Sequence, residues 1–191
     1  MGLHIIELSA PGLLLIAFAF VVNALSVETL ESICAPKKKR TPKQQRKGDN
    51  MSRKGNLFWN FYTSGEHTTI PNCGKWTYFF NVDGLDFVNG ICEDVIARGV
   101  VSHVKHTSSR VLYEKKSGVV CFYIDGTDRD SNIRVLKYFM EKGLIPRNKN
   151  GNYRNISFKF DEQTYKGQYG EDFKSVLKLS DFVDVTTGEF Y

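Results

Sequence analysis

Two stretches of the chain combine a helical pattern with the same ending, and this repeat constrains the fold more than any other feature of the sequence. From Asp86 to Arg98 apolar residues recur at the three- and four-residue spacing of an amphipathic helix, and the same spacing runs from Asp128 to Lys142. Each pattern ends in a base, a glycine and apolar residues, as "ARGVV" and "EKGLI". Gly99 and Gly143 are therefore expected to end the two helices as left-handed caps.

Four predicted strands surround these helices. An aromatic-rich stretch precedes the first helix, two apolar stretches separate the helices and one follows the second; they are residues 75–81, 100–106, 118–125 and 155–160. The order β-α-β-β-α-β predicts an α+β fold, with an antiparallel sheet and both helices on one face, because the crossovers are right-handed. Polar residues 107–117 are expected to form a long hairpin or flap, and residues 176–185 an edge strand or short helix.

The net charge of +5 is concentrated in one segment. Residues 36–54 contain nine lysines and arginines and one acid, whereas residues 55–191 contain 17 basic and 17 acidic residues. The domain is therefore neutral, which argues against nucleic-acid binding by its surface as a whole. An anion site has to come from the local placement of charge.

The four cysteines form no CxxC pair and no Cys/His cluster with zinc spacing, so the sequence predicts no metal and no cofactor. Cys92 and Cys121 fall inside a predicted helix and a predicted strand, where cysteine is usually a small buried apolar residue. A reducing compartment is the simpler expectation.

Residues 12–25 form an apolar run of fourteen residues, shorter than the roughly twenty that a membrane span needs. A signal-peptide core and a membrane anchor are both open alternatives, but the preceding "MGLHIIE" lacks the basic residue expected of a signal peptide. A third alternative is that Met51 is the native start. Membrane contact is expected only if the apolar run belongs to the native protein.

The next residues, up to Asn50, are polar, basic and aperiodic, as expected of a disordered linker. Residues 36–40 (PKKKR) resemble a nuclear-import signal, and are equally typical of a solvated linker or of an arm that attracts lipid or nucleic acid. The predicted organisation is an apolar segment and basic linker over residues 1–50, then a single monomeric α+β domain over residues 56–191. The predicted location is the cytoplasm, with the nucleus as alternative; secretion and membrane anchoring are less favoured.

Strand side chains alternate between faces, so the apolar residues that meet the helices also place their neighbours. If Trp76, Val104 and Phe158 pack against the helices, the lysines of the same strands point to the opposite, open face. The predicted anion site there consists of Lys75, Thr77, His103, Lys105 and Lys159, with Arg154 from a basic loop beside it. Lysines interspersed with hydroxyls attract phosphate or another multivalent anion, although a solvated sheet face often carries lysines as well.

Two short His-x-Thr/Ser triplets, at His67 and His106, are similar to the pattern of two-histidine phosphoesterases. Triplets this short match by chance, so the lysine-bearing face is the favoured site.

Four stretches together are similar to a known family. They are "GKWTYFF" at 74–80, "GVVSHVKHT" at 99–107, "GVVCFYIDGTDRDSNIRVLKYFMEKGL" at 118–144 and "ISFKFDEQTYKGQYG" at 156–170. Their order and spacing resemble the basophilic leukaemia-expressed protein family, whose fold is similar to that of the cap-binding translation initiation factors. Cap-binding proteins hold a base between two tryptophans, but of Trp59 and Trp76 the second is assigned to the core, so cap stacking of that kind is not expected.

The same topology resembles the phosphothreonine lyases of bacterial effectors. That resemblance puts their catalytic lysine on Lys105, which would act as a base if burial and flanking lysines lower its pKa, and puts Thr77 where those enzymes have a histidine. The resemblance implies a domain that binds or acts on a phosphorylated ligand at the open face. The alternative is a non-catalytic module for a nucleotide, an RNA end or a phosphopeptide.

Overall fold

The computed structural model describes residues 51–65 and 69–191. The apolar run, the basic linker and His67 lie outside the described residues, so the predictions made for them stay predictions. No helix in the described part of the chain has the length and apolar character needed to cross a membrane.

Within the described residues, six strands form one antiparallel sheet. They are β1 (Ser52–Gly55), β2 (Trp59–Thr63), β3 (Cys73–Asn81), β4 (His103–Thr107), β5 (Ser117–Asp125) and β6 (Lys159–Phe160). Their order across the sheet is β1-β2-β4-β5-β3-β6. The longest strands, β3 and β5, pair with each other over their whole length of nine residues, and their side chains define the two faces.

Four α-helices accompany the sheet in the same part of the chain: α1 (Leu85–Ala97), α2 (Ser109–Lys115), α3 (Arg129–Glu141) and α4 (Asp161–Tyr165). The predicted order β-α-β-β-α-β is confirmed as β3-α1-β4-β5-α3-β6. The apolar sides of α1 and α3 share one core cluster with Trp76, Val104 and Phe122, so both helices cover the same face. Gly99 and Gly143 follow these helices with φ of 64° and 66°, as their predicted roles as caps require.

The segment predicted as a flap is a helix. The Ser108 side chain caps α2 by accepting a hydrogen bond from the Val111 N–H, and Lys116 ends it with φ of 60°. Val111 and Leu112 are buried, so they attach α2 to the rest of the domain. The residues needed to recognise this helix, the serine cap Ser108 and the apolar pair Val111 and Leu112, are present in the sequence.

The edges of the sheet also differ from the prediction. The sequence predicts neither β1 nor β2. Strand β1 lies before residue 56, the expected start of the domain, and it pairs with β2. The fourth predicted strand keeps regular pairing only at Lys159–Phe160, while Ser157 bridges to Lys178 in the C-terminal tail. The tail then forms a short 3-10 helix, Leu179–Asp181, and packs on the helix side of the sheet through Leu179 and Phe182.

Replacing Gly74 by alanine should destabilise the domain. A Cβ at Gly74 would lie 2.3 Å from Cε1 of Phe158 and 2.8 Å from the carbonyl oxygen of Lys159. Because the Phe158 ring is fully buried it cannot move aside cheaply, and overpacking of this kind costs about 1–3 kcal/mol. The free energy of unfolding, measured in denaturant, checks this.

Gly90→Ala is the matched control. Gly90 lies in α1 with nothing within 4 Å of an added Cβ, and alanine in an exposed helix is favoured over glycine by about 0.5–1 kcal/mol. Gly74→Ala should lower the unfolding free energy while Gly90→Ala raises it. Equal stability of the two variants would contradict the packing described at Gly74.

Candidate functional site

The strand register places three lysines on one face of the sheet. Lys75 of β3 lies opposite Lys159 of β6 and opposite Tyr123 of β5, and Tyr123 in turn lies opposite His103 of β4. Paired residues share a face, and Lys105, two residues after His103 on β4, shares that face too. This surface, away from α1 and α3 and carrying Lys75, Lys105 and Lys159, is called the lysine face below.

The lysine face is more enclosed than the sequence predicted. Lys75 is 8% exposed and Lys105 only 2% exposed. One reason is α4, which follows β6 directly and turns back over β3, so that Asp161 and Thr164 cover Lys75. The far end of the face remains accessible, since Phe79 is 68% exposed.

Lys75 is held in a buried ion pair. Its Nζ donates to Oδ1 of Asp161 at 2.6 Å and to Oγ1 of Thr164 at 3.2 Å, and the Cys73 thiol donates to Oδ2 of Asp161 at 3.4 Å. Burial by itself lowers the pKa of Lys75, but the charge and hydrogen bond of Asp161 outweigh it and raise that pKa above its ordinary value. Lys75 is therefore held in its charged form on β3, next to the edge strand β6.

Lys105 lies among three aromatic rings. Its Nζ is 4.3 Å from the centroid of Trp59, 5.4 Å from that of Tyr123 and 5.9 Å from that of Phe61. Ammonium groups at such distances are attracted by the ring quadrupoles. Two of the rings belong to β2, the strand that sequence reasoning missed; the alternating aromatic residues of "WNFYT" were the available signal.

Lys159 is the half-buried lysine of the three. Its Nζ donates to the carbonyl oxygen of Gln168 at 2.6 Å and lies 3.4 Å from the centroid of the Tyr169 ring and 5.2 Å from that of Phe173. Burial, followed by the positive charge of Lys75, lowers the pKa of Lys159 to about 8, against a smaller opposing effect of Asp161.

The remaining predicted residues divide into two groups. His103 is buried on the lysine face, with Nδ1 2.9 Å from Oγ of Ser102, and Thr77 is half-buried opposite Cys121. Arg154 is exposed in the loop between α3 and β6, so no strand pairing brings it to the lysine face. The predicted role of His103, Thr77 and Arg154 in binding a ligand stays a prediction.

The two tryptophans lie on opposite faces of the sheet. Trp59 contacts Lys105 on the lysine face, whereas Trp76 is fully buried on the helix side and donates from Nε1 to Oδ1 of Asn132 on α3 at 2.9 Å. Because the sheet separates the rings, they cannot enclose one base. The expected absence of two-tryptophan stacking follows from this arrangement.

His106 points towards the helices, away from the lysines. Its Nδ1 is 2.8 Å from the Thr107 carbonyl oxygen, and its Nε2 is 3.3 Å from the Tyr62 hydroxyl and 3.4 Å from Nδ2 of Asn60. The Tyr62 hydroxyl also donates to Oδ1 of Asn89 at 3.1 Å. This network of hydrogen bonds connects β2 and β4 to α1. His106 therefore lies on the helix side of the sheet, on the face opposite to that of Lys105.

Comparisons with known proteins return no match to this chain, whether among family models, curated proteins or solved structures. Among residues 51–65 and 69–191, no group of three or more His, Cys, Asp or Glu side chains is placed to hold a metal ion. The functional argument therefore depends on the lysine face itself.

Asp161→Asn should destabilise the domain strongly, because it leaves the Lys75 ammonium buried opposite a neutral amide. Breaking a buried ion pair by removing one partner costs about 3–5 kcal/mol. Denaturant unfolding measures the loss. The double variant Lys75→Met/Asp161→Asn should recover much of it, since no buried charge is then left unpaired.

Glu162→Gln is the control for that experiment. Glu162 is the next residue of α4, and its pair with Lys166 is exposed, where ion pairs contribute little. The unfolding midpoint should therefore stay where it is in Glu162→Gln. A drop as large as that of Asp161→Asn would mean that α4 itself, rather than the buried pair, is sensitive to substitution.

The stability of the domain should depend on pH through His106. Burial lowers the pKa of His106 below its ordinary 6.5, opposed by its hydrogen bond to the Thr107 backbone. Below about pH 6.5 the unfolded chain binds a proton that the folded chain does not, so stability falls as the pH falls through that value. Unfolding free energies measured from neutral to mildly acidic pH should show a steeper fall for the wild type than for His106→Gln. Identical slopes would show that His106 is protonated as easily in the folded state.

Proposed function

We propose that the lysine face binds a phosphorylated ligand and that Lys159 is its direct contact. The observation that carries the proposal is the pairing of Lys159 with Lys75 across β3 and β6, which sets two cations side by side. Within the described residues Asp161 forms its salt bridge with Lys75, and Lys159 forms none. A ligand anion would supply the negative counter-charge that Lys159 does not receive from a salt bridge.

Burial makes such an anion effective. Charges interact more strongly in the low-dielectric environment of a partly enclosed site than in water. Lys105 is buried on the same face and Lys75 is buried in its pair with Asp161, so half-buried Lys159 is the lysine of the face within reach of a ligand. Phosphate carries up to two charges and three acceptor oxygens, so it suits a cluster of ammonium groups.

Binding without chemistry is favoured over a lyase reaction. The lysine that the lyase resemblance makes catalytic, Lys105, is enclosed by Trp59, Phe61 and Tyr123 and is 2% exposed. Thr77 stands where the resemblance puts the histidine of those enzymes, and a threonine hydroxyl does not replace an imidazole as a general acid. A phosphopeptide is the proposed ligand, with a nucleotide as the alternative to be tested beside it.

The test is a titration with a phosphothreonine peptide, its unphosphorylated counterpart and a nucleoside monophosphate. The phosphopeptide should bind to the wild type, and Lys159→Met should weaken it by roughly tenfold, the loss of about 1.4 kcal/mol expected for one charged contact. Lys105→Met should also weaken binding, and unchanged affinity would remove Lys105 from the site. Lys174→Met, at an exposed lysine of the same flank, should bind as the wild type does.

Mass spectrometry of the incubated peptide separates the two functions. A phosphopeptide recovered intact supports the binding module, whereas loss of phosphoric acid that disappears in Lys105→Met establishes the lyase. Equal affinity for the phosphorylated and unphosphorylated peptides, together with no nucleotide binding, would defeat the proposal.

Affinity should also fall as the pH rises through about 8, the pKa of Lys159, because the amine loses its charge there. The phosphate is already doubly ionised above its second pKa of about 6, so the change reports the protein and not the ligand. Titrations at neutral and alkaline pH should show this decline in the wild type and not in Lys159→Met. A decline of the same size in Lys159→Met would assign it to another group.

A further inference from the structure

Lys159 has the surroundings of a reactive amine. The carbonyl oxygen of Gln168 and the ring of Tyr169 hold its Nζ in one position, and Phe173 closes another side at 5.2 Å. The side chain is half-buried, so it is both partly desolvated and within reach of a small molecule. The other two lysines of the face are too enclosed to meet a reagent.

The charged and titratable groups around Lys159 come from three elements. Lys75 of β3 lies opposite it in register and is kept protonated by Asp161, the first residue of α4. Tyr169, in the loop after α4, has a pKa raised by burial and therefore stays neutral. The residue paired with Lys159 across the sheet thus carries a second ammonium, which is itself ion-paired with Asp161.

A lysine that is desolvated and placed beside a second cation is one of the recognised ways in which proteins activate an amine for covalent chemistry. The pKa of Lys159, about 8, agrees with this geometry, since a substantial fraction of the side chain is neutral near physiological pH. The two lysines differ in charge state, because Lys75 stays protonated while Lys159 can lose its proton.

We propose that Lys159 is a covalent site for carbonyl compounds, at which its Nζ forms an imine with an aldehyde or ketone. The nitrogen lone pair forms a bond to the carbonyl carbon as the π electrons move to oxygen, giving a carbinolamine. Both hydrogens of the amine then leave with that oxygen as water, and the C=N bond remains. The step needs no oxidant or reductant. A neutral carbonyl compound suffices, so the inference does not depend on the phosphate proposal.

The experiment uses two aldehydes that differ only in a phosphate, pyridoxal and pyridoxal 5′-phosphate. The full chain is incubated with each at neutral pH, cyanoborohydride reduces any imine to a stable secondary amine, and peptide mapping by mass spectrometry locates the label. Lys159 should be labelled at least about tenfold faster than any exposed lysine, because far more of it is in the amine form at this pH. The label should be absent from that position in Lys159→Met and persist in Lys174→Met.

The two aldehydes keep the two proposals separate. Faster labelling of Lys159 by the phosphorylated aldehyde supports both, and equal labelling by the two aldehydes supports the covalent site while counting against phosphate attraction. Label spread over the exposed lysines without enrichment at Lys159 overturns the covalent site, even where the phosphopeptide still binds.

The cause of the reactivity has its own test. In wild type the labelling rate at Lys159 should rise with a midpoint near pH 8, the pKa of its amine. The double variant Lys75→Met/Asp161→Asn removes the neighbouring cation together with the carboxylate that partly offsets it, and because the effect of Lys75 is the larger, the midpoint should move to higher pH. An unchanged midpoint in a folded double variant would show that the Lys75–Asp161 pair has no net effect on Lys159 and would leave burial as the cause of its reactivity.

Discussion

Trp76 is the residue on which the arrangement of the sheet depends. Its ring is fully buried against Phe158 and Phe182, and its Nε1–H donates to Asn132, which joins β3 to α3. Because neighbouring side chains of a strand point in opposite directions, placing Trp76 in the core also places Lys75 on the other face. A slip of one residue would bury an unpaired ammonium in the apolar core at a cost of several kcal/mol.

The same constraint extends across the sheet through cross-strand pairing. Trp76 of β3 pairs with Phe122 of β5, and Phe122 pairs with Val104 of β4, so all three side chains lie on the helix side. Lys105, the residue after Val104, therefore points to the opposite face. His103 and His106 illustrate the consequence, since they are three residues apart on one strand and occupy opposite faces. One contributes to the lysine face, and the other ties the strands to α1.

The buried pair of Lys75 and Asp161 shapes the lysine face. Such a pair is weak evidence of net stabilisation, because the desolvation of two charges offsets much of their attraction. What it provides is placement: it holds α4 over β3, and it keeps Lys75 charged beside Lys159. The lowered pKa of Lys159 follows first from its own burial and then from the charge of Lys75, while Asp161 of α4 opposes it.

The sequence by itself determined the order of the main strands and helices, the two glycine caps and the face on which each lysine lies. These features follow from local rules, namely helical spacing, alternation along a strand and the left-handed backbone of glycine. Tertiary structure alone decided that β2 would surround Lys105 with rings, that α4 would cover Lys75 and that Asp161 would pair with it. Lys75 and Asp161 are 86 positions apart along the chain, and no periodicity in the sequence reports a contact over that distance. Their meeting depends on the path of the backbone after β6, which is set by the packing of Phe158 and the C-terminal tail against the core.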